Sequence, residues 1–555
     1  MLTFRREAYV ARTETSVVSA SNWQEAYARY VNNQGITLLI DEESVIAGQD
    51  AYLDDNAELM LEKELIRTAF DCSVIVYDES TIRIAKGENV ITVNVGEFSM
   101  SVTKKTENGV EIIPEELSSS VVKKGKKFYV PSEVIIKGLD YDYSWGQSAM
   151  NAIFVSEDPE VGKITSYYSY ADIGRISYVR NQGNLGACWA FAGMAALEYT
   201  LLPEENWDFS EDHLIWNNGH ALDNYGGDYL ITASYLTGWK GPVREEDDPY
   251  NDGMTDENLS AVKHVQEIQF LNSKDYTQIK KMIFKYGVVE SSLYIGVSED
   301  NSEIDSECYF PETYSYIYTG DELPNHEIVI IGWDDDYPAD NFGGHAEGDG
   351  AFICKNSWGS GFGDNGTFYV SYYDSVIGYI AVAYTKIEDT DNYDRIYQYD
   401  DTGWSGLVGF GQTKAYMANV YTASGSENLE AVGFYATGEN TSYKIYVCEN
   451  YKDSSSIDVK SKVYAQGTFK NSGYYTVQLD EEVKLDAGEK FAVVVEIITP
   501  SSGKPVAVEI ISDEADADTA GKVSLLSNYG EKWECLQDKS KGNICLKAYT
   551  KVRED

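Results

Sequence analysis

Cys188 is the residue whose setting most invites chemistry. It stands in VRNQGNLGACWAFAGMAALEYTLL, which begins at Val179. From Cys188 onward Trp189, Ala192, Gly193, Ala196 and Leu197 recur at helix-face spacing, so the thiol heads a helix. The partial positive charge of a helix N-terminus favours the thiolate, which is the reactive form. Gln182 lies six residues upstream on a glycine-containing loop. Its side-chain amide, with the Cys188 backbone N–H, suits the stabilisation of an oxyanion. Core cysteines are usually inert, so this assignment depends on partners elsewhere in the chain.

A thiol nucleophile needs a base. The chain has five histidines: His213, His220, His264, His326 and His345. Only His326 opens an apolar strand, HEIVIIGW, and it comes 138 residues after Cys188. That falls inside the interval of about 130–150 residues at which such a base follows its cysteine. The other four sit in polar helix or loop contexts and read as exposed. Downstream, GAFICKNSWGSGFGDNGTFYVSYYD places Asn356 just past an apolar strand. Its side-chain oxygen suits an imidazole N–H, and Trp358 would shield that hydrogen bond from water.

QGNLGACWAF, the Asn325–His326 pair before an apolar strand, and KNSWGSGFGDNG occur in one order. Together they resemble the papain family of cysteine peptidases over residues 165–385 or so. The resemblance implies Cys188 as nucleophile, His326 as base and acid, Asn356 as its orienting partner and Gln182 as oxyanion donor. DFSEDHL from Asp208 is similar to the family's LSEQxLV stretch. Gly226 and Gly227 resemble the glycines whose backbone pairs with an extended substrate, a form of strand addition. Tyr229 would then line the pocket for the second side chain before the scissile bond. Asn325 and Trp358 complete the expected substrate-binding set. GPVREEDDPY, HEIVIIGWDDDYPADNF, GDGAFICKNSWG and RIYQYDDTGWSG look like clostridial-type cell-surface cysteine peptidases, in which a lectin-like β-sandwich follows the catalytic domain. CLQDKSKGNICLKAYT fits the last strands of such a sandwich.

Three departures stand out. Leu185 occupies the position three before the nucleophile where many relatives carry Cys, so the disulfide usual there is absent. Glu327 follows His326 where the best-known relatives carry Ala. On a strand its side chain points away from the imidazole side. The acidic, Gly-rich insertion at Asp334–Gly350 is read as a surface loop, the alternatives being a calcium loop or a lid.

Around this site the expected architecture is multidomain α+β. A segment at 1–48 carries one helix near Trp23–Val31. An α/β stalk-like or pro-region at 49–158 holds two weak repeats, each reading as strand, helix and two-strand hairpin. A papain-like two-lobed catalytic domain, a helical lobe plus a β-barrel-like lobe, spans 159–390. An antiparallel β-sandwich spans 391–555. The FYVP…SWGQSAMNAIFV stretch is similar to stalk modules named after an amine-oxidase N-terminus, but no His precedes residue 213, which argues against a copper role.

Composition narrows the partners. With 44 Lys+Arg against 91 Asp+Glu, the net charge is −47, which repels phosphate backbones and anionic lipid. No run reaches the ~18 apolar residues of a membrane span. No CxxC pair or HExxH helix suggests a catalytic metal, so no cofactor is required, although the charge is compatible with structural calcium. Seven Cys are too few for a disulfide scaffold, and Cys535 and Cys545 are as well read as free thiols as paired. The first residues lack an apolar signal core. The resemblance implies an extracellular or cell-surface protein whose signal has been removed. The expected activity is endopeptidase hydrolysis of protein or peptide substrates, with a cell-wall or glycan ligand for the C-terminal domain. The alternatives are a catalytically silent adhesin and a transpeptidase with an amine acceptor.

Overall fold

The computed structural model describes residues 36–553, apart from internal stretches at 41–42, 49, 55, 57, 78, 107–108, 147–150, 157–165, 221–225, 273, 297–306, 511–522 and 539–541. The helix expected near Trp23–Val31 lies outside the described residues. The chain divides into two compact units, Met1–Thr165 and Ser166–Asp555.

In the first unit the order strand, helix, hairpin occurs twice. Leu59–Glu62 runs into helix Lys63–Ala69 and the hairpin Ser73–Tyr77/Thr81–Lys86. Lys127–Pro131 runs into helix Ser132–Gly138 and the hairpin Tyr141–Gly146/Asn151–Ser156. The two leading strands pair antiparallel, Val130 opposite Leu61. Each repeat therefore covers the other's apolar face, with Leu61, Ile66, Val130, Val134 and Ile135 in one core.

The second unit is built around α1, Cys188–Leu201. Ten of its fourteen residues are buried, so it is apolar on every side and lies in the core. Small residues let neighbours approach: a Cβ at Gly193 would stand 2.6 Å from the Thr232 side chain. Helices α2 (Glu211–Asn217) and α3 (Tyr229–Thr237) pack on it. On its other side lies a sheet made from β1 (His264–Asn272), β2 (Val289–Leu293), β3 (His326–Asp334), β4 (Ala351–Lys355), β5 (Thr367–Ser371) and β6 (Ile380–Glu388), in the order β5-β4-β3-β2-β6-β1.

That sheet does not end at β1. It continues into β7 (Glu427–Ala436), β8 (Ser472–Leu485) and β9 (Leu546–Val552) in the order β1-β8-β7-β9. This extension forms one layer of a sandwich. The second layer includes Lys414–Thr422, Thr441–Cys448 and Lys490–Ile498. Alternating inward residues such as Val432, Phe434, Tyr421, Val493 and Val495 fill the space between. The expected C-terminal sandwich is present, and a continuous hydrogen-bonded sheet joins it to the half built around α1. None of the seven cysteines is in a disulfide.

The seam between β1 and β8 pairs Gln269 with Gly473 and Phe270 with Ser472. Asn471 Nδ2 donates to Gln269 Oε1 at 2.7 Å and Thr476 Oγ1 donates to Gln266 Oε1 at 2.6 Å. Gly473 has φ +147°, and a Cβ there would lie 2.1 Å from the Ile268 carbonyl oxygen. Gly473→Val should therefore open the seam at a cost of about 2–4 kcal/mol. Differential scanning calorimetry should show a lower first transition or a split into two. An unchanged thermogram would contradict the seam.

Candidate active site

Each expected catalytic side chain is held by a different element. Cys188 opens α1, whose preceding residue, Ala187, makes no side-chain capping bond. The Ala187 carbonyl accepts from Ala190 N at 3.0 Å and Phe191 N at 3.2 Å, and the N–H groups of Cys188 and Trp189 are turned to the thiol at the helix end. Burial pushes the Cys188 thiol up to about 11, against the N–H groups of Glu327, Trp189 and Cys188 itself, which favour the thiolate. His326 opens β3 and is buried. Burial holds its imidazole down to about 4, against the stabilising hydrogen bond to Asn356. Either group charged alone is unfavourable here.

The imidazole is fixed from one side. His326 Nε2 lies 2.9 Å from Asn356 Oδ1. An amide oxygen only accepts, so Nε2 carries the proton. The backbone N–H of Ser357 donates to the same oxygen at 2.8 Å, which fixes which way the amide faces. The Trp358 ring lies 4.9 Å from the imidazole, centroid to centroid.

The same tripeptide reaches the oxyanion side. Ser357 Oγ donates to Gln182 Oε1 at 2.7 Å, and Gln182 N donates to the Ser357 carbonyl at 2.9 Å. Gln182 Nε2 donates one hydrogen to the Leu185 carbonyl at 2.9 Å, and an amide nitrogen has a second to give. Ser357 thus sets the Gln182 amide, a role sequence reasoning missed. Its place between Asn356 and Trp358 was the only available signal.

Arg180 was missed as well. Its guanidinium donates to Glu198 on α1 at 2.6 Å and to Glu211 on α2 at 2.7 Å, and also pairs with Asp208. Its carbonyl accepts from Gly359 N at 2.9 Å. This cluster ties the Gln182 loop to α1 and α2.

The expected substrate-binding residues divide. Gly226 and Gly227 are exposed, and a Cβ on Gly227 would stand 2.5 Å from the Trp189 indole. Any larger residue would be pushed off the nucleophile's neighbour. Tyr229 opens α3 beside Asp228, whose carboxylate accepts from Leu230 N and Ile231 N. Asn325 spends its side chain on the neighbouring loop, accepting from Ile295 N at 2.8 Å and donating to Ile295 O at 3.1 Å. Its carbonyl is what it can offer a substrate.

Two histidines read as exposed are buried instead. His213 faces inward on α2, 2.7 Å from the Tyr235 hydroxyl. His264 stacks on Trp239 with centroids 3.6 Å apart and meets Asn392 Oδ1. Both are satisfied by tertiary partners that local polarity does not reveal. The Asp334–Gly350 insertion folds back on itself, burying Phe342 with Tyr337 and Ile317. Among the described residues no group of three or more His, Cys, Asp or Glu is placed to hold a metal ion, and no helix is long and apolar enough to cross a membrane.

Residues 167–388 match the family model for papain family cysteine protease, and residues 396–550 match that for lectin like domain. A solved clostridial cysteine protease, Cwp84 after propeptide cleavage, superposes with a TM-score of 0.62 at 30% identity, covering 70% of this chain and 100% of that one. The chain belongs to the papain family of cysteine proteases. A second structure comprises the cysteine protease and lectin-like domains of Cwp84, described as a surface layer associated protein of Clostridium difficile. It gives a TM-score of 0.60 at 28% identity, covering 70% of this chain and 89% of that one. Cysteine proteinase 1 of Entamoeba histolytica is 28% identical over 208 residues, 35% of this chain and 59% of that protein. Mouse cathepsin K is 27% identical over 216 residues, 37% of this chain and 59% of that protein. The chain thus spans well under two thirds of these two curated relatives.

The Arg180 cluster makes this papain-family fold sensitive to pH. Glu198 is fully buried, and burial pushes its carboxyl up to about 7 despite the opposing pull of Arg180. A carboxyl raised on folding stabilises the fold where it keeps its proton, and that contribution is lost as pH climbs through its folded value. The melting temperature should therefore fall between about pH 5 and pH 8, and Glu198→Gln should flatten that fall. Parallel slopes for the two proteins in calorimetry would contradict this.

Proposed function

We propose that this chain is a secreted or cell-surface cysteine endopeptidase that hydrolyses peptide bonds with Cys188, His326 and Asn356. The observation that carries the proposal is the 2.9 Å hydrogen bond from His326 Nε2 to Asn356 Oδ1. It leaves Nδ1 as the ring nitrogen for the thiol at the head of α1.

Cys188 gives its proton to His326 Nδ1 and its sulfur attacks the peptide carbonyl. The second Gln182 Nε2 hydrogen and the Cys188 N–H receive the oxyanion. Protonated His326 passes its proton to the departing amine, leaving a thioester. Water, deprotonated by the same imidazole, then cleaves the thioester and restores the thiol. Asn356 keeps the ring in one orientation through both proton transfers. Substrate lies extended along Gly226–Gly227, and the Trp358 ring covers the His326–Asn356 bond.

The mature-protein boundary, the stalk-like reading of the first unit and a glycan ligand for the lectin-like domain belong to the same proposal. Support for a surface location comes from the surface layer association of Cwp84. The strand–helix–hairpin repeats support a spacer or pro-region before residue 159.

Cys188→Ala should abolish peptide hydrolysis and labelling by an epoxide affinity reagent for cysteine peptidases. Gln182→Ala should keep the labelling but lower kcat about 10²–10³-fold, since one oxyanion donor is lost. Ser357→Ala should lower kcat less, about tenfold, because Gln182 remains but loses its orienting partner. Robust hydrolysis by the Cys188 variant would overturn the assignment. An amine adduct in the product mass would favour transpeptidation over hydrolysis.

A further inference from the structure

Glu290, buried, and Glu327, half-buried, form an acidic pair beside the nucleophile that the hydrolytic cycle above does not use. β2 and β3 pair antiparallel with Ser292 opposite Glu327 and Glu290 opposite Val329. Residues two apart on a strand share a face, so Glu290, Ser292 and Glu327 project to one side, and His326 to the other. Ser292 Oγ donates to Glu327 Oε1 at 2.8 Å. Deeper in, Glu290 is fully buried. Its Oε2 accepts from the Tyr384 hydroxyl at 2.9 Å, while its Oε1 has no partner.

The pair sits where a substrate side chain would arrive. The Cys188 thiol lies against the backbone N–H of Glu327. The Gly227 backbone packs on Trp189, and Asp228 and Tyr229 follow directly. Asp228, exposed at the head of α3, adds its field to both glutamates. The Tyr229 ring feels all three carboxyls and rests edge-on against Phe270, centroids 5.3 Å apart. Glu327 and Asp228 act on Glu290 and Asp228 acts on Glu327, and among the described residues neither glutamate pairs with a Lys, Arg or His.

A buried carboxyl with an unmet oxygen costs about 1–3 kcal/mol or more, and a second carboxyl beside it raises that cost. An apolar residue at either position would avoid it. Without a cation the pair keeps a proton, as burial and mutual repulsion require. A guest cation would displace that proton and satisfy the orphaned oxygen.

We propose that Asp228, Glu290 and Glu327 bind the ammonium or guanidinium of a lysine or arginine two residues before the scissile bond, with Tyr229 packing against its aliphatic stem. This rests on the endopeptidase reading and deepens it. A substrate strand laid along Gly226–Gly227 alternates its side chains, turning that residue toward this pocket. The long stem carries the charge past Ser292 to Glu290, a reach and a charge that leucine or phenylalanine lacks.

The test is hydrolysis by the full chain of fluorogenic peptides that differ only at that position: lysine, arginine, norleucine, phenylalanine or glutamate. Lysine and arginine should exceed norleucine in kcat/KM by about tenfold or more, the equivalent of one retained charge pair. The preference should persist at high salt, because a desolvated pair is screened far less than the overall negative field. Glu327→Gln and Glu290→Gln should each bring the lysine-to-norleucine ratio toward unity. Should the buried variant fail to fold, the exposed Asp228→Asn should still lower that ratio, by about two- to threefold. Norleucine or phenylalanine cleaved as well as lysine, with Cys188 labelled by the epoxide, would overturn the pocket and leave the peptidase standing. No hydrolysis of any peptide and no label on Cys188 would overturn both.

Discussion

The site depends on one tripeptide, Asn356–Ser357–Trp358, bonding in two directions at once. Asn356 holds the imidazole, Ser357 holds the Gln182 amide, and Trp358 lies against the imidazole. The proposed general base and oxyanion donor come from segments far apart in sequence, and the proposed catalysis requires them to stay within tenths of an ångström of one geometry. Fixing both to adjacent residues makes that geometry a property of one strand end. The other constraints serve it. Asn356 N donates to the Gly366 carbonyl at 2.9 Å, and Gly359 N returns to Arg180. Arg180 in turn anchors α1, and with it Cys188.

Negative charge enters this scaffold in two ways. Most of it keeps the surface anionic, as a net charge of −47 requires. A smaller part lies around α1, with Glu198, Glu211 and Glu290 buried and Glu327 half-buried. Glu198 and Glu211 are answered by Arg180. Among the described residues Glu290 and Glu327 have hydroxyl donors but no cation partner. That contrast separates a structural cluster built around a cation of its own from one that has none.

The proposed catalytic residues were legible in the primary structure because each sits in a short motif whose spacing survives folding. Cys188 and Gln182 share one loop, and Asn356 and Trp358 share another. The sandwich was legible from alternating strands such as YKIYVCE and FAVVVEI. What the sequence concealed was tertiary. The Glu290–Glu327 pair exists only through the register of β2 against β3. The inward turn of His213 and His264 depends on Tyr235, Trp239 and Asn392, which no local pattern connects to them. Asn325 looked like a substrate contact from its neighbour His326, yet its side chain closes a loop onto Ile295. The joining of the two halves through β1 and β8 rests on a pairing across some two hundred residues.

The central claim is that Cys188 reacts as half of a thiolate–imidazolium pair and not as an isolated buried thiol. The most direct measurement is the pH dependence of Cys188 alkylation by iodoacetamide, followed by mass spectrometry, in the native protein and in His326→Ala. The account predicts rapid alkylation of the native protein well below pH 8. In the variant the reaction should rise only as an isolated thiol ionises, toward the value of about 11 to which burial and the Glu327 charge push it against the neighbouring backbone N–H groups. Superimposable pH profiles for the two proteins would contradict it.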